Sequence, residues 1–166
     1  MNSDGLTDIQ RDRDPAGRPR NSRPRDALGR PLPHGMPGVP TTDESVILGG
    51  RDALAEAQRL LDSGQPFHAH EVLEGAWKAA PESERELWRG LAQLAVGLTH
   101  AHRGNPTGAA RLLQRAADRI EPYGADAPHR VAVSELTRWA RHLVDRIDAD
   151  GLVPLTPAEL IPRLTG

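Results

Sequence analysis

Two ionisable residues and an indole share one helical face in the run Phe67-His68-Ala69-His70-Glu71-Val72-Leu73-Glu74-Gly75-Ala76-Trp77. His70 and Glu74 are four apart and Trp77 is three further on, so a helix stacks all three on one side. An imidazole nitrogen and a carboxylate oxygen from one turn can share a divalent ion, with His100 or Glu71 as a third ligand. The chain has no cysteine, so the donors would be nitrogen and oxygen. That set suits zinc, iron, manganese or nickel without choosing among them. The same pair could exchange protons with a substrate, with Arg103 holding an anionic group. A third reading needs no ligand: Glu74 accepts hydrogen bonds from His70 and from the Trp77 indole or a backbone amide, as a buried clasp between helices.

Helices must position these groups. Leu54, Ala57 and Leu61 mark a first helix that stops at Ser63-Gly64, and Pro66 opens a second that runs to Ala80-Pro81. Ser83-x-x-Glu86 reads as a capping box for a third, through Leu87, Leu91, Leu94 and Leu98 to Gly104. Asn105-Pro106 opens a fourth, Asp126 with Pro128 a fifth, and the Thr156–Glu159 box a short sixth. Gly64-Gln65-Pro66 and Gly104-Asn105-Pro106 lie forty residues apart, with Ala69, Leu73 and Ala76 echoed by Ala109, Leu113 and Ala116. A helix hairpin is used twice. No alternating stretch suggests a strand, so the fold class expected is all-α: a compact bundle of five to six helices built on two hairpins.

His70 and Glu74 fall near the middle of the second helix's apolar arc, where an ionisable group needs a partner. The third helix is apolar on nearly every side, which marks it as central. Gly90, Gly97 and Gly104 recur along it every seven residues, with Gln93 and His100 on the same side. A glycine face lets another helix approach closely. The expected neighbour is the second helix, which would bring Gln93 or His100 to the His70, Glu74 and Trp77 cleft.

Together with Gly90-Leu91-Ala92-Gln93-Leu94-Ala95-Val96-Gly97-Leu98 and Arg103-Gly104-Asn105, these residues resemble domain of unknown function family 309, small helical proteins of bacteria and archaea. The family hallmark is His, three residues, Glu, two residues, then Trp or Tyr, here His70, Glu74 and Trp77. The resemblance covers Leu54 to Pro122 and implies an all-helical domain and a metal-binding role for the His and Glu. It implies no reaction. His68 departs from the usual residue at its position.

Composition narrows the remaining classes. The 166 residues suit one domain, here a helical unit from 44 to 166. A net charge of -2 argues against nucleic acid as a partner, and neither a spanning segment nor a secretion signal is visible, so the expected location is cytoplasmic. Residues 1–43 hold seven of the fifteen prolines, seven arginines and only nine hydrophobic residues. They read as an irregular arm, mobile at least through Arg25, whose Leu28, Leu32, Met36 and Val39 could lie in a groove on the helices. His34, His129 and His142 read as solvated, His102 as a flank of the third helix, and Trp88, Trp139 and Tyr123 as core. There is no serine elbow, no phosphate loop and no His-Glu-x-x-His. The functional expectation is a helical protein of unresolved biochemical role, weighted away from enzymatic chemistry, whose buried His70, Glu74 and Trp77 site could bind a divalent metal. The alternative is a hairpin interaction module in which the trio is a clasp, with a protein or small molecule as partner and oligomers allowed.

Overall fold

The computed structural model describes residues 24–33, 35–39 and 48–166. Five α-helices follow in order: α1 Gly50–Asp62, α2 Pro66–Ala79, α3 Arg85–His102, α4 Pro106–Ile120 and α5 Val133–Asp150. Among the described residues the only β-pairing is two isolated bridges, Arg25 with Pro31 and Val131 with Thr165. The class is all-α, as the apolar periodicity requires.

Each helix packs on its neighbours in chain order, and α3 has the two largest interfaces, with α4 and with α2. Leu87, Leu91, Leu94 and Leu98 of α3 are wholly buried. Each contributes about 1.5–3 kcal/mol of transfer free energy, which is why the helix with apolar groups on most sides takes the centre.

The two hairpins turn alike. Gly64 (φ +70°) and Gly104 (φ +76°) adopt the left-handed conformation that ends a helix at low cost. The next amide bonds back across each turn, Gln65 to Leu60 and Asn105 to His100, both at 2.9 Å. Asn105 also caps α4 by accepting from the Gly108 amide at 3.0 Å.

Several boundaries differ from expectation. The Ser83 and Glu86 box does not form: residues Glu82–Glu84 make a 3-10 turn, and α3 starts behind Glu84 with no side-chain cap. The fifth helix begins at Val133 instead of near Pro128, because Gly124, His129 and Arg130 all have φ near +60° and cannot continue a right-handed helix. The Thr156 box is complete, yet it opens only the 3-10 turn Pro157–Leu160.

The glycine face of α3 turns to α4, not to α2. A Cβ on Gly90 would stand 2.4 Å from Ile120 Cγ2, and one on Gly97 would stand 3.0 Å from Leu113 Cγ. The bulky residues of α4 need that space, whereas α2 enters the core with Ala69, Leu73 and Ala76.

The turn at residues 26–29 lies against the end of the bundle where α2 begins and α3 ends, and the Val39 amide bonds back to the Arg25 carbonyl at 2.9 Å. The expected mobile segment falls almost wholly outside the described residues, as does His34. Among the described residues no helix is long and apolar enough to cross a membrane.

Candidate functional site

Pro66 at the first turn starts α2 directly after the Gly64 reversal, and Ala69, Val72, Leu73 and Ala76 then carry the buried stripe. Phe67, His70, Glu71, Glu74 and Trp77 run beside that stripe, half-buried. The hallmark residues therefore occupy the shoulder of the apolar arc and not its centre. The reason is that alanines fill the centre, and their small size lets α3 close over it.

On this shoulder His70 Nε2 is 3.4 Å from Glu74 Oε2, and Lys78 Nζ is 3.0 Å from Glu74 Oε1. His70, Glu74 and Lys78 thus form a ladder at four-residue spacing, with the ammonium already balancing the carboxylate. Burial depresses the His70 pKa below its ordinary 6.5, outweighing the Glu74 and Glu71 carboxylates that oppose the shift. The ring is neutral near pH 7. Its Nδ1 is buried without a hydrogen-bond partner among the described residues. Trp77 packs against the core and carries the Arg89 guanidinium 5.7 Å from its ring centroid, and the partners found at Glu74 are His70 and Lys78.

Gln93 and His100 are not part of this group. Gln93 Oε1 accepts from Arg119 Nε of α4 at 3.1 Å, and His100 Nδ1 lies 2.9 Å from Asn105 Nδ2 at the start of α4. Both follow the glycine face to α4. The three-ligand set His70, Glu74 and His100 is accordingly not assembled, and no group of three His, Asp or Glu suited to a metal occurs among the described residues.

A second constellation gathers at the start of α2. His68, 1% exposed, has Nδ1 3.1 Å from Glu71 Oε2 and Nε2 3.3 Å from the Asp26 carbonyl oxygen. Arg103, at the end of α3, donates from Nε and Nη2 to the Leu28 carbonyl at 2.9 and 2.7 Å. Phe67 lies between these contacts, with the guanidiniums of Arg25 and Arg103 at 4.8 and 5.8 Å from its ring centroid. Gly29 rests on the ring: a Cβ there would stand 2.0 Å from Phe67 Cγ. Of this group only Glu71 and Arg103 were site candidates in the sequence. Gly29 is identifiable as a contact only once the arm is in place.

The bound turn is shaped by its own bonds. Asp26 Oδ1 accepts from the Leu28 and Arg30 amides at 2.9 and 2.8 Å. The Gly29 amide bonds the Asp26 carbonyl at 2.9 Å, and Arg25 Nη1 donates to the Gly29 carbonyl. Gly29 takes φ +73°, a conformation that glycine adopts without strain.

Sequence reasoning also missed a cluster at the opposite end of α2. Glu84 Oε2 accepts from Trp88 Nε1 at 3.1 Å and from His129 Nε2 at 2.9 Å. Burial works against the Glu84 charge, but these two hydrogen bonds prevail and hold its pKa below 4.5. His129 is thus not the solvated residue expected. Two adjacent left-handed residues, His129 and Arg130, deliver its ring there. Trp88 is buried as expected; Trp139 and Tyr123 are half-buried against the core, and His142 is exposed.

Residues 54–112 match the family described as Domain of unknown function (DUF309), in line with the resemblance carried by α2 and α3. An uncharacterized protein of Bacillus subtilis (strain 168), YpuF, is 48% identical over 48 residues, 28% of each chain. An uncharacterized protein of Aquifex aeolicus (strain VF5) is 33% identical over 66 residues, 39% of this chain and 20% of that protein. The chain therefore spans between a fifth and a third of the length of these relatives. No solved structure matches it.

Proposed function

With residues 54–112 forming its DUF309 segment, we propose that this chain is a helical interaction module whose α2 and α3 ends seat a turn of polypeptide. The observation that carries the reading is the recognition of main-chain carbonyls by side chains of two helices: Arg103 at Leu28 and His68 at Asp26. Side chains that bond a backbone, flanking an aromatic ring on which a glycine rests, are the parts with which proteins hold peptides.

In this reading His70, Glu74 and Lys78 are a structural ladder that keeps the shoulder of α2 in shape beside the seat. Lys78 takes the place at Glu74 that a cation would need, and the third expected ligand, His100, serves α4. Both facts favour the clasp over the divalent metal.

Hydrogen exchange tests the proposal. Replacing Arg103 by Ala removes two bonds to the Leu28 carbonyl and leaves the core untouched. The amides of Gly29 and Leu32, which bond within the turn at 2.9 and 2.7 Å, then exchange about tenfold faster or more, while amides of α3 keep their protection. Equal exchange of the turn amides in both proteins would refute the seat.

A further inference from the structure

The seat is built to recognise features that do not belong uniquely to this chain's own arm. Two of its hydrogen-bonding groups grip carbonyl oxygens, which every residue carries. Its steric demand is for a residue without a Cβ over Phe67. Its stacking demand is for a cation near the same ring, met by Arg25. Asp26 closes the turn on itself, so part of the shape that the seat requires comes with the ligand.

The hold on the arm is also light. Of its described residues only Gly29 is buried, Leu28, Leu32 and Val39 are half-buried and Met36 is 52% exposed. Beyond the turn, the half-buried shoulder of α2 continues through His70 and Glu74 to Trp77. That gives a longer peptide a surface to follow.

Resting on the reading of the seat as a polypeptide-binding site, we propose that it accepts an Arg-Asp-x-x-Gly turn offered by a partner polypeptide. Residues 25–29 are then the chain's own competing copy of that ligand. Each position has a stated role. Arginine stacks on Phe67 and bonds the glycine carbonyl, aspartate closes the turn, the carbonyls of the second and fourth residues meet His68 and Arg103, and glycine clears the ring. A tethered copy faces the seat at an effective concentration in the millimolar range, so a free turn binds well only when the arm is out.

The test uses the full chain carrying Gly29→Val, whose Cβ would stand 2.0 Å from Phe67 Cγ and which strains a φ of +73°. Asp26→Ala, which unties the turn without adding bulk, gives a second released chain. A fluorescent synthetic peptide of residues 24–39 is titrated into each by polarisation, with circular dichroism confirming the helices. The expected result is saturable binding to both released chains and binding on the order of tenfold weaker or more to the unaltered chain. Binding is lost when Arg103→Ala is added to either released chain, or when the peptide itself carries Gly29→Val. Helical released chains whose turn amides exchange rapidly, yet which take up no peptide, would overturn the proposal while leaving the seat in cis intact. Turn amides that exchange as fast in the unaltered chain as in the released ones would instead overturn the seat itself.

Discussion

Arg103 closes the last turn of α3 and donates two hydrogen bonds, of 2.9 and 2.7 Å, to the carbonyl of Leu28, seventy-five positions earlier. A planar guanidinium aimed at one carbonyl oxygen fixes both the position and the direction of the chain it holds. This contact, with His68 at Asp26, holds the turn at residues 26–29 against the end of the α2 and α3 hairpin.

Gly90→Val should destabilise the fold. A Cβ at Gly90 meets Ile120 Cγ2 at 2.4 Å, and valine cannot be accommodated without moving α4. The expected loss is about 1–3 kcal/mol, the usual cost of overpacking a tight interface. Urea denaturation measures it, and an unchanged midpoint would mean that the glycine face does not seat α4.

Glu74→Gln should cost little, under about 1 kcal/mol, because its partners are a half-buried imidazole and an exposed ammonium. Added chelator should not shift the melting temperature of either protein. A large drop on chelation in the unaltered chain, absent in the variant, would restore the metal reading.

Stability should decline on acidification in two stages. Burial holds the native His70 pKa below 6.5, so the unfolded chain takes up its proton first as pH falls. This contribution is present above about pH 6.5 and is lost in the window below it. Burial also lowers the native pKa of His100 and of His102, Arg103 and Arg111 assisting at His100, and both act in the same direction. Glu84 is held below 4.5, so its contribution is present above that pH and is lost as pH falls through its native value. Urea midpoints from about pH 7.5 down to well below 4.5 read both stages, and His70→Gln should shrink the first. A flat profile between pH 7 and 5 contradicts the assignment.

Arg130→Gly should stabilise the protein by about 1 kcal/mol. Arg130 is exposed and sits at φ +61°, a conformation that costs a side-chain-bearing residue about 1–2 kcal/mol and glycine almost nothing. Thermal unfolding shows it as a rise of a few degrees, and a fall would mean that the arginine makes a contact that outweighs its strain.

Much of this architecture is legible in the residues. Gly64, Pro66, Gly104 and Pro106 mark helix ends because their backbone preferences are local, and the forty-residue echo follows from them. What the sequence hides is direction around a helix. Gly90 and Gly97 announce a close approach without naming the partner, and Ile120 and Leu113 decide it. Gln93 and His100 follow, so the expected site loses its far wall. The seat itself depends on contacts across more than forty positions, between Asp26 and His68 and between Leu28 and Arg103. No periodicity within α2 or α3 carries that information. His129 was hidden for a related reason, since its left-handed backbone sends the ring to Glu84.

The most direct measurement is the proton spectrum of Gly29 in the full-length protein, read together with nuclear Overhauser contacts to the Phe67 ring. Gly29 lies so close to that ring that a Cβ would stand 2.0 Å from Cγ. The seat therefore predicts α-protons of Gly29 displaced upfield by the ring current, with cross-peaks to the aromatic protons of Phe67. Arg103→Ala should weaken both. Gly29 α-protons at the shifts of an unstructured peptide, with no contact to Phe67, would contradict the account.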